Sequence, residues 1–405
     1  MTDVSTGWNS GPNDCISGLD IVCVSAVPWG VVRSVTEYTM LGFASTNRVL
    51  IVEPFGSWIT LARAARLQNR KQTRKARLEQ VADNVWVYRP PPIGLPGTSR
   101  FATAAAVNGW MLAQLLRLPI RQLGFTKPVL WSQLFYAASL FRALPARLRI
   151  YECSDNDSAM ARDERHRRLV KQQEEATCRA ADLVFAVTEE LAKPLKAFNP
   201  ATFEVNCAAD LAFFGRSLHP ETRVPEQIAG LQPPVIGYLG GLDPWKIDVD
   251  LLVGMARAHP DWSIVLVGYV WFGFDPAQLT ICPNIHVLGP QSYDAFPGFL
   301  KAMDVCIMPF PLNGITLNGD ALKLYEYLAG GRPVVSTRVP AARRLAGVVR
   351  IADTPEDFIA AVEAALAEPP GAQADRLAAV QPHSWDARNR QKAAHINAAL
   401  ARSPG

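Results

Sequence analysis

The 405-residue sequence lacks the cysteine and histidine spacing of a structural zinc site. Its seven cysteines and six histidines are scattered, without a C-x-x-C or H-x-x-x-H pair. An odd number of isolated cysteines, several of them in apolar runs, is typical of free thiols in a reducing cytoplasm. We therefore expect no metal site.

Long apolar runs and targeting signals are missing as well. No apolar run reaches the ~18 residues of a membrane span. The N-terminus, MTDVSTGWNSGPNDCISG, lacks the basic start and apolar centre of a secretion signal. We expect residues 1–18 to be a flexible leader on a cytoplasmic protein.

Acidic residues are scarce in residues 58–150, where fifteen Lys or Arg face only Glu79 and Asp83. This region carries +13 and the rest of the chain −9, which together give the net charge of +4. Such a local excess of positive charge indicates an anionic partner, either phosphates, a membrane surface or nucleic acid.

The apolar residues that are present predict two α/β domains. Their share is 49%, with 19% charged residues, which is a globular composition long enough for two cores. Strand-like runs separated by helix-length segments predict a doubly wound parallel sheet in the first half. These runs are IVCVSAVPW, RVLIVEP, VWVYRPPP, KPVLWSQL, RLRIYECSD and LVFAVT.

The strand pattern restarts after an irregular stretch at 215–233 and predicts a second α/β domain. Its six runs are PVIGYLGGL, WSIVLVGYV, NIHVLGP, VCIMPF, RPVVSTR and GVVRIAD. We place the domains at 19–214 and 215–383, followed by a polar helix at 384–402. Ligands of open α/β sheets bind beyond the carboxyl ends of the strands, so two facing domains would form one cleft.

Two stretches of the second domain have the composition of a ligand site. GYLGGLDPWK places Gly240 and Gly241 after a strand, where backbone N–H groups can approach an anion, although a tight turn without ligand fits equally. In NGDALKLYEYLAGGRPVVST, Lys323 suits a phosphate or carboxylate and Glu326 suits the two hydroxyls of a ribose. The alternative is a surface ion pair worth ~0.2–0.5 kcal/mol.

PFPLNGITLNGDALKLYEYLAGGRPVVST resembles the donor-binding segment of GT-B glycosyltransferases. The similarity continues, in the family's order, through IYECSDNDS, RAADLVFAVTEEL, VIGYLGGLDPW, VLGPQSYDAFPGFLKAMDVCIMPF and HSWDAR. It is nearest to bacterial polysaccharide-assembly transferases of the teichuronic-acid type and more distant to the xanthan glucuronosyltransferase. The resemblance implies two Rossmann-like doubly wound parallel-sheet domains facing across a cleft, with the closing helix crossing back to the first.

The resemblance also assigns residues. Glu326 falls on the ribose-binding Glu of the family, Lys323 on a donor-contacting Lys, and Gly240 and Gly241 on the phosphate-side loop. Three further residues complete the predicted donor site, namely Lys246, Asp320 and Tyr325. Many retaining members carry a second Glu eight residues before the ribose Glu, and here that position is Asn318, so their mechanism does not transfer.

A catalytic base is predicted in the first domain. Asp155 ends a predicted strand and aligns with the base of the xanthan-type enzyme. A carboxylate there can take the proton of the acceptor hydroxyl while its oxygen attacks the anomeric carbon, which inverts that centre. Asp157 competes for this role, a helix N-cap is the structural alternative for Asp155, and retention stays open.

The basic run ARAARLQNRKQTRKARL predicts a helix with a positive stripe, preceded by Trp58. Its predicted membrane or acceptor surface consists of Trp58, Arg63, Arg66, Arg70, Lys71, Arg74, Lys75 and Arg77. A solvated face is the alternative, but the excess of cations favours an anionic leaflet. FATAAAVNGWMLAQLLRLPI adds an apolar face to this surface or is a core helix.

Together these features predict a glycosyltransferase at the inner face of the membrane. It would move a sugar from a nucleotide diphosphate donor, with UDP favoured, to a glycan or polyprenyl-diphosphate-linked acceptor, and would need neither cofactor nor metal. The alternatives are a nucleotide-sugar epimerase of the same fold and a catalytically degenerate membrane-bound partner protein. Nucleic acid is not expected as a partner, because no binding motif accompanies the basic region.

Overall fold

The computed structural model describes residues 15–30, 33–57, 77–271 and 273–402. Its strands are β1 Asp20–Val24, β2 Arg48–Val52, β3 Arg77–Ala82, β4 Val85–Arg89, β5 Val129–Ser132, β6 Leu148–Cys153, β7 Leu183–Ala186, β8 Thr202–Glu204, β9 Val235–Leu239, β10 Ser263–Val267, β11 Ile285–Gly289, β12 Val305–Met308, β13 Val334–Thr337 and β14 Arg350–Ala352. Its α-helices are α1 Val35–Ala44, α2 Ala102–Gln122, α3 Ala138–Ala143, α4 Glu164–Ala180, α5 Glu189–Leu195, α6 Leu211–Gly215, α7 Glu226–Ala229, α8 Val249–Ala258, α9 Phe296–Ala302, α10 Leu322–Ala329, α11 Pro340–Arg344, α12 Pro355–Leu366, α13 Ala372–Val380 and α14 Trp385–Arg402.

The chain forms two compact units. One runs to Asn206 and includes the chain from Trp385 onward, and the other is Cys207–Ser384. The first division therefore lies between 206 and 207, whereas the sequence pattern places it between 214 and 215. The reason is that α6 packs on α9 and α10 of the second unit.

The first unit contains an eight-stranded sheet in the order β3-β4-β2-β1-β5-β6-β7-β8. The strands pair in parallel except β3, which runs antiparallel to β4. The basic helix predicted from 62 to 78 is wrong at its end, because Arg77 begins β3 and its guanidinium lies 3.3 Å from the Glu79 carboxylate. The rest of the predicted basic surface, Trp58 to Lys75, lies outside the described residues.

The predicted flexible leader is also wrong where it can be compared. Ile16 is buried in the core of the first unit, and its carbonyl accepts hydrogen bonds from Thr46 and Asn47 at 2.8 and 2.9 Å. Gly18 donates its N–H to the carbonyl of Thr46. Residues 15–18 are thus tied to the loop before β2, and residues 1–14 lie outside the described part of the chain.

The closing helix α14 packs within the first unit, beside α1. The rings of Tyr38 and Trp385 stack with centroids 4.7 Å apart. Ala393 and Ile396 enter the apolar core that the sheet shares with α1. The polar sequence of α14 therefore covers one buried apolar stripe.

The second unit contains a six-stranded sheet in the order β11-β10-β9-β12-β13-β14, with every pairing parallel. Because all strands point the same way, the loops after β9, β10 and β12 meet at one edge of the sheet. Helix α10 begins directly after the last of these loops. That edge holds the candidate site.

Candidate functional site

Two glycine turns lie against each other at the carboxyl edge of the second sheet. Gly240 follows β9 with φ +151°, and Gly268 follows β10 with φ +153°. A Cβ on Gly268 would lie 1.9 Å from the carbonyl oxygen of Gly240, and one on Gly241 would lie 2.2 Å from the indole nitrogen of Trp271. Only glycine fits these positions. Because glycine has no side chain, a ligand can approach the backbone of these turns closely.

Lys323 stands in the first turn of α10, next to these glycines. A Cβ on Gly240 would lie 2.6 Å from Cε of Lys323. The ammonium lies 5.2 and 5.3 Å from the ring centroids of Tyr238 and Phe310. Burial, followed by the positive charge of Lys246, lowers the pKa of Lys323 to about 8. Two cations held near each other are a favourable setting for an anion.

Glu326 lies one turn further along α10 and is 7% exposed. Burial raises the pKa of its carboxyl group to about 7, while the Lys323 charge acts in the opposite direction. Within the described residues no hydrogen bond or ion pair engages its oxygens. The alternative of a surface ion pair with Lys323 is therefore wrong, and this carboxylate remains available as a hydrogen-bond acceptor.

Asp320 and Tyr325 hold the entry into α10. The buried carboxylate of Asp320 accepts hydrogen bonds from Arg344 at 2.5 Å, from the backbone N–H of Cys207 at 2.7 Å and from the hydroxyl of Tyr325 at 3.1 Å. These contacts position the loop rather than offer free polar atoms to a ligand. Sequence reasoning missed Arg344, because its distance along the chain gives no signal of the contact.

The loop before α10 is held by asparagines. Asn313 donates from its amide to the carbonyl of Trp245 at 2.8 Å, which joins this loop to the one after β9. Asn318 donates to the carbonyl of Gly314 at 2.8 Å and supplies no carboxylate. The N-cap residue of α10 is Ala321, whose side chain makes no capping bond. The first N–H groups of α10 therefore have no side-chain cap and can bind an anion.

In the first unit, Asp155 lies just beyond β6. The N-cap position of the following 3₁₀ turn is Asn156, whose side chain makes no capping bond, so the N-cap alternative for Asp155 is wrong. Asp157 begins that turn, and burial, with the nearby charges of Asp155 and Glu174, raises its pKa to about 7. The role of Asp155 or Asp157 as the base stays a prediction, and a carboxyl group with a pKa near 7 suits proton transfer near neutrality.

Helix α2 has one buried apolar face and one exposed face. Leu112 and Leu116 are buried. The opposite face leaves Trp110 57% exposed and Leu118 63% exposed, and no acidic residue occurs on the helix. We define the α2 surface by four exposed residues of this face, Trp110, Arg117, Leu118 and Arg121.

The described residues contain neither a membrane-spanning helix nor a cluster of metal ligands. No helix there has the length and apolar character to cross a membrane. No group of three His, Cys, Asp or Glu side chains in the same residues could hold a metal ion. The expectation that no metal is needed stays a prediction.

Comparison with a family model and with solved structures identifies the fold of the chain. Residues 233–368 match the family model described as glycosyl transferases group 1. Sucrose-phosphate synthase from Thermosynechococcus elongatus superposes with a TM-score of 0.69 at 13% identity, over 95% of this chain and 100% of that one. Trehalose 6-phosphate synthase from Burkholderia multivorans gives 0.66 at 12% identity, over 96% and 100%. The chain has the GT-B fold.

Two further relatives of this GT-B protein are informative. A putative teichuronic acid biosynthesis glycosyltransferase of Bacillus subtilis, TuaH, is 27% identical over 235 residues, which cover 54% of this chain and 58% of the relative. Anabaena HepE, whose structure is a complex with UDP, gives a TM-score of 0.62 at 15% identity over 94% of this chain and 100% of that one. The fold class and the resemblance to GT-B glycosyltransferases of the polysaccharide-assembly type are confirmed.

Proposed function

We propose that this GT-B protein transfers a sugar from a nucleotide diphosphate sugar, with UDP favoured, to a glycan or lipid-linked acceptor in cell-surface polysaccharide biosynthesis. The observation that carries the proposal is the buried, unpaired Glu326 one turn from Lys323 at the carboxyl edge of the second sheet. The teichuronic acid relative supports the class of pathway, and the UDP complex of Anabaena HepE supports the nucleotide.

In this proposal the second unit holds the donor. Glu326 accepts hydrogen bonds from the two ribose hydroxyls, which explains an ionisable group buried without a partner. Lys323 and Lys246 neutralise the diphosphate, and the first N–H groups of α10 and the Gly240 turn add hydrogen bonds to it. Such fixed positive groups stabilise the departing nucleotide without requiring a metal.

The first unit would then bind the acceptor and supply the catalytic base. Asp155 takes the proton of the acceptor hydroxyl as that oxygen attacks the anomeric carbon and the nucleotide diphosphate leaves, which inverts the configuration. Asp157 is the second candidate. Asn318 cannot replace the carboxylate of retaining relatives, since an amide does not ionise.

The α2 surface supports a role at the inner face of the membrane, where a polyprenyl-diphosphate-linked acceptor would lie. Exposed Trp110 and Leu118 can enter the interfacial layer of a bilayer, while Arg117 and Arg121 meet anionic headgroups. The basic surface predicted from Trp58 to Lys75 stays a prediction, and the α2 surface would add an apolar face to it.

Measuring turnover with individual UDP-sugars, one in each assay, tests the proposal. We expect UDP release that requires a lipid-linked or glycan acceptor, and about 10²-fold or greater loss of turnover in Asp155→Asn if Asp155 is the base. The same loss in Asp157→Asn alone would transfer the role to Asp157. Asp83→Asn, at an exposed position between β3 and β4, is the matched control.

Epimerisation of the donor without acceptor would instead identify a nucleotide-sugar epimerase. Absence of turnover with every donor, together with complementation of a deletion strain by Asp155→Asn, would identify a degenerate partner protein. Either result would contradict glycosyl transfer.

A further inference from the structure

A cavity lies at the edge of the second sheet opposite the candidate site, where the strands begin. Its volume is about 660 Å³, which is within the range of small-molecule sites. Pro234 directly precedes β9, Asp304 precedes β12 and Pro333 precedes β13, so the cavity lies at the amino ends of the strands. It is therefore separate from the glycine turns and from Lys323, which lie at the carboxyl edge.

Arg332 brings an incompletely satisfied guanidinium to this cavity. One terminal nitrogen donates to the carbonyl of Met303 at 3.1 Å. The Nε atom is buried and has no hydrogen-bond partner among the described residues. A buried donor without an acceptor costs ~1–3 kcal/mol, so the contacts of Arg332 with the protein leave part of its hydrogen-bonding capacity unused.

Arg376 brings a second guanidinium and is only 6% exposed. Its Nε donates to the carbonyl of Gly331 at 3.1 Å, and it forms an ion pair with Glu368. Glu368 is shared with Arg350, whose Nε lies 2.9 Å from the carboxylate. The carboxylate of this cluster is thus already occupied by two cations.

Asp304 is the second acidic residue of the cavity. Asp304 accepts the backbone N–H of Val235 at 2.7 Å and so helps to hold the start of β9. Two guanidinium groups, from Arg332 and Arg376, and two carboxylates, from Asp304 and Glu368, line the cavity. Arg350 lies outside the lining but pairs with Glu368, so this cluster of side chains carries one more positive than negative charge. The prolines of the rim offer no N–H donor, so the side-chain donors of the lining are those of Arg332, Arg376 and Gln373.

We propose that this cavity binds a phosphate-bearing metabolite, with its phosphate held by the guanidinium groups of Arg332 and Arg376. Guanidinium groups are the preferred partners of phosphate because their N–H donors match its oxygens in pairs. The volume leaves room for a sugar-sized body beside the phosphate. The proposal does not depend on the donor site and would stand if the chain transferred no sugar.

Calorimetric titration of the full chain with glucose 6-phosphate tests this site. We expect binding that Arg332→Gln weakens by about tenfold or more, since a charge-assisted contact is lost. Lys323→Gln, at the other edge of the sheet, should leave the affinity unchanged. Absence of binding, or binding abolished by Lys323→Gln but kept in Arg332→Gln, would overturn the proposal.

A second pair of variants avoids the risk that Arg332→Gln fails to fold. Gln373 is exposed at the rim of the cavity, so a charge there should be tolerated. Gln373→Glu should weaken binding of glucose 6-phosphate and Gln373→Lys should strengthen it, each by several-fold. Equal affinities in the two variants, with thermal unfolding unchanged, would show that the anion does not bind in this cavity.

Discussion

The ammonium of Lys392 lies 2.5 Å from a carboxylate oxygen of Glu152, and each side chain is 1% exposed. The other Glu152 oxygen accepts the indole N–H of Trp131 at 3.0 Å, and Lys392 also donates to the hydroxyl of Thr39 at 2.9 Å. Both charges are thus paired and hydrogen-bonded inside the first unit. This network fixes the last helix, α14, to strand β6 and helix α1.

Breaking this pair from one side should destabilise the protein strongly. Lys392→Met leaves the Glu152 carboxylate buried without its cation, and we expect the free energy of unfolding to fall by ~3–5 kcal/mol. Urea denaturation monitored by circular dichroism measures this. Lys193→Met, at an exposed site on α5, is the control and should change stability by less than ~0.5 kcal/mol.

A loss below about 1 kcal/mol in Lys392→Met would contradict the importance of the pair. The double variant Lys392→Met with Glu152→Leu removes both charges. It should be more stable than Lys392→Met alone, because no unpaired charge remains in the core.

UDP affinity should depend on pH with a maximum near neutrality. Glu326 accepts hydrogen bonds best when ionised, and since its pKa is raised to about 7, affinity should rise as the pH rises through that value. Lys323 must be protonated to meet the diphosphate, and since its pKa is lowered to about 8, affinity should fall above that pH. Titrations from pH 5.5 to 9.5 give the profile.

The variant Glu326→Gln separates these effects. The part of the acidic limb that comes from Glu326 should vanish, leaving the titration of UDP itself, while the basic limb persists. A profile identical to that of the unchanged protein would show that Glu326 does not titrate in the site.

The glycine turns provide a steric prediction. Gly268→Ala would place a methyl group 1.9 Å from the carbonyl oxygen of Gly240, so the two turns must separate and UDP affinity should fall by about tenfold or more. Gly254→Ala is the matched control, since no atom lies within 4 Å of its added Cβ in helix α8. It should keep UDP affinity and raise stability by ~0.5–1 kcal/mol. Equal UDP affinity in both variants would contradict the close approach of the turns.

Binding to vesicles tests the α2 surface. We expect sedimentation with vesicles that contain anionic lipid, and about tenfold weaker binding when Trp110 and Leu118 are both changed to Ser. Changing Arg117 and Arg121 to Gln should remove the dependence on anionic lipid. Ile281→Ser, an equally exposed apolar site in the second unit, should have no effect. Unchanged binding in the Trp110 and Leu118 variant would exclude this surface.

The sequence predicts the two parallel sheets because their strands are short apolar runs bounded by turns. It misses β3, whose residues follow a run with helical spacing and pair antiparallel at the sheet edge, and β8, which has too few residues to show a pattern. Helical spacing places Lys323 and Glu326 one turn apart. The position of Lys323 beside the rings of Tyr238 and Phe310, and the burial of Glu326, arise only in the folded chain.

The central claim is that Glu326 anchors the ribose of a nucleotide donor, and calorimetric titration with UDP and GDP tests it most directly. We predict binding of UDP in the micromolar range, at least about tenfold weaker in Glu326→Gln and unchanged in Glu356→Gln, an exposed site on α12. Absence of binding by either nucleotide, or equal affinity in Glu326→Gln, would contradict the donor site.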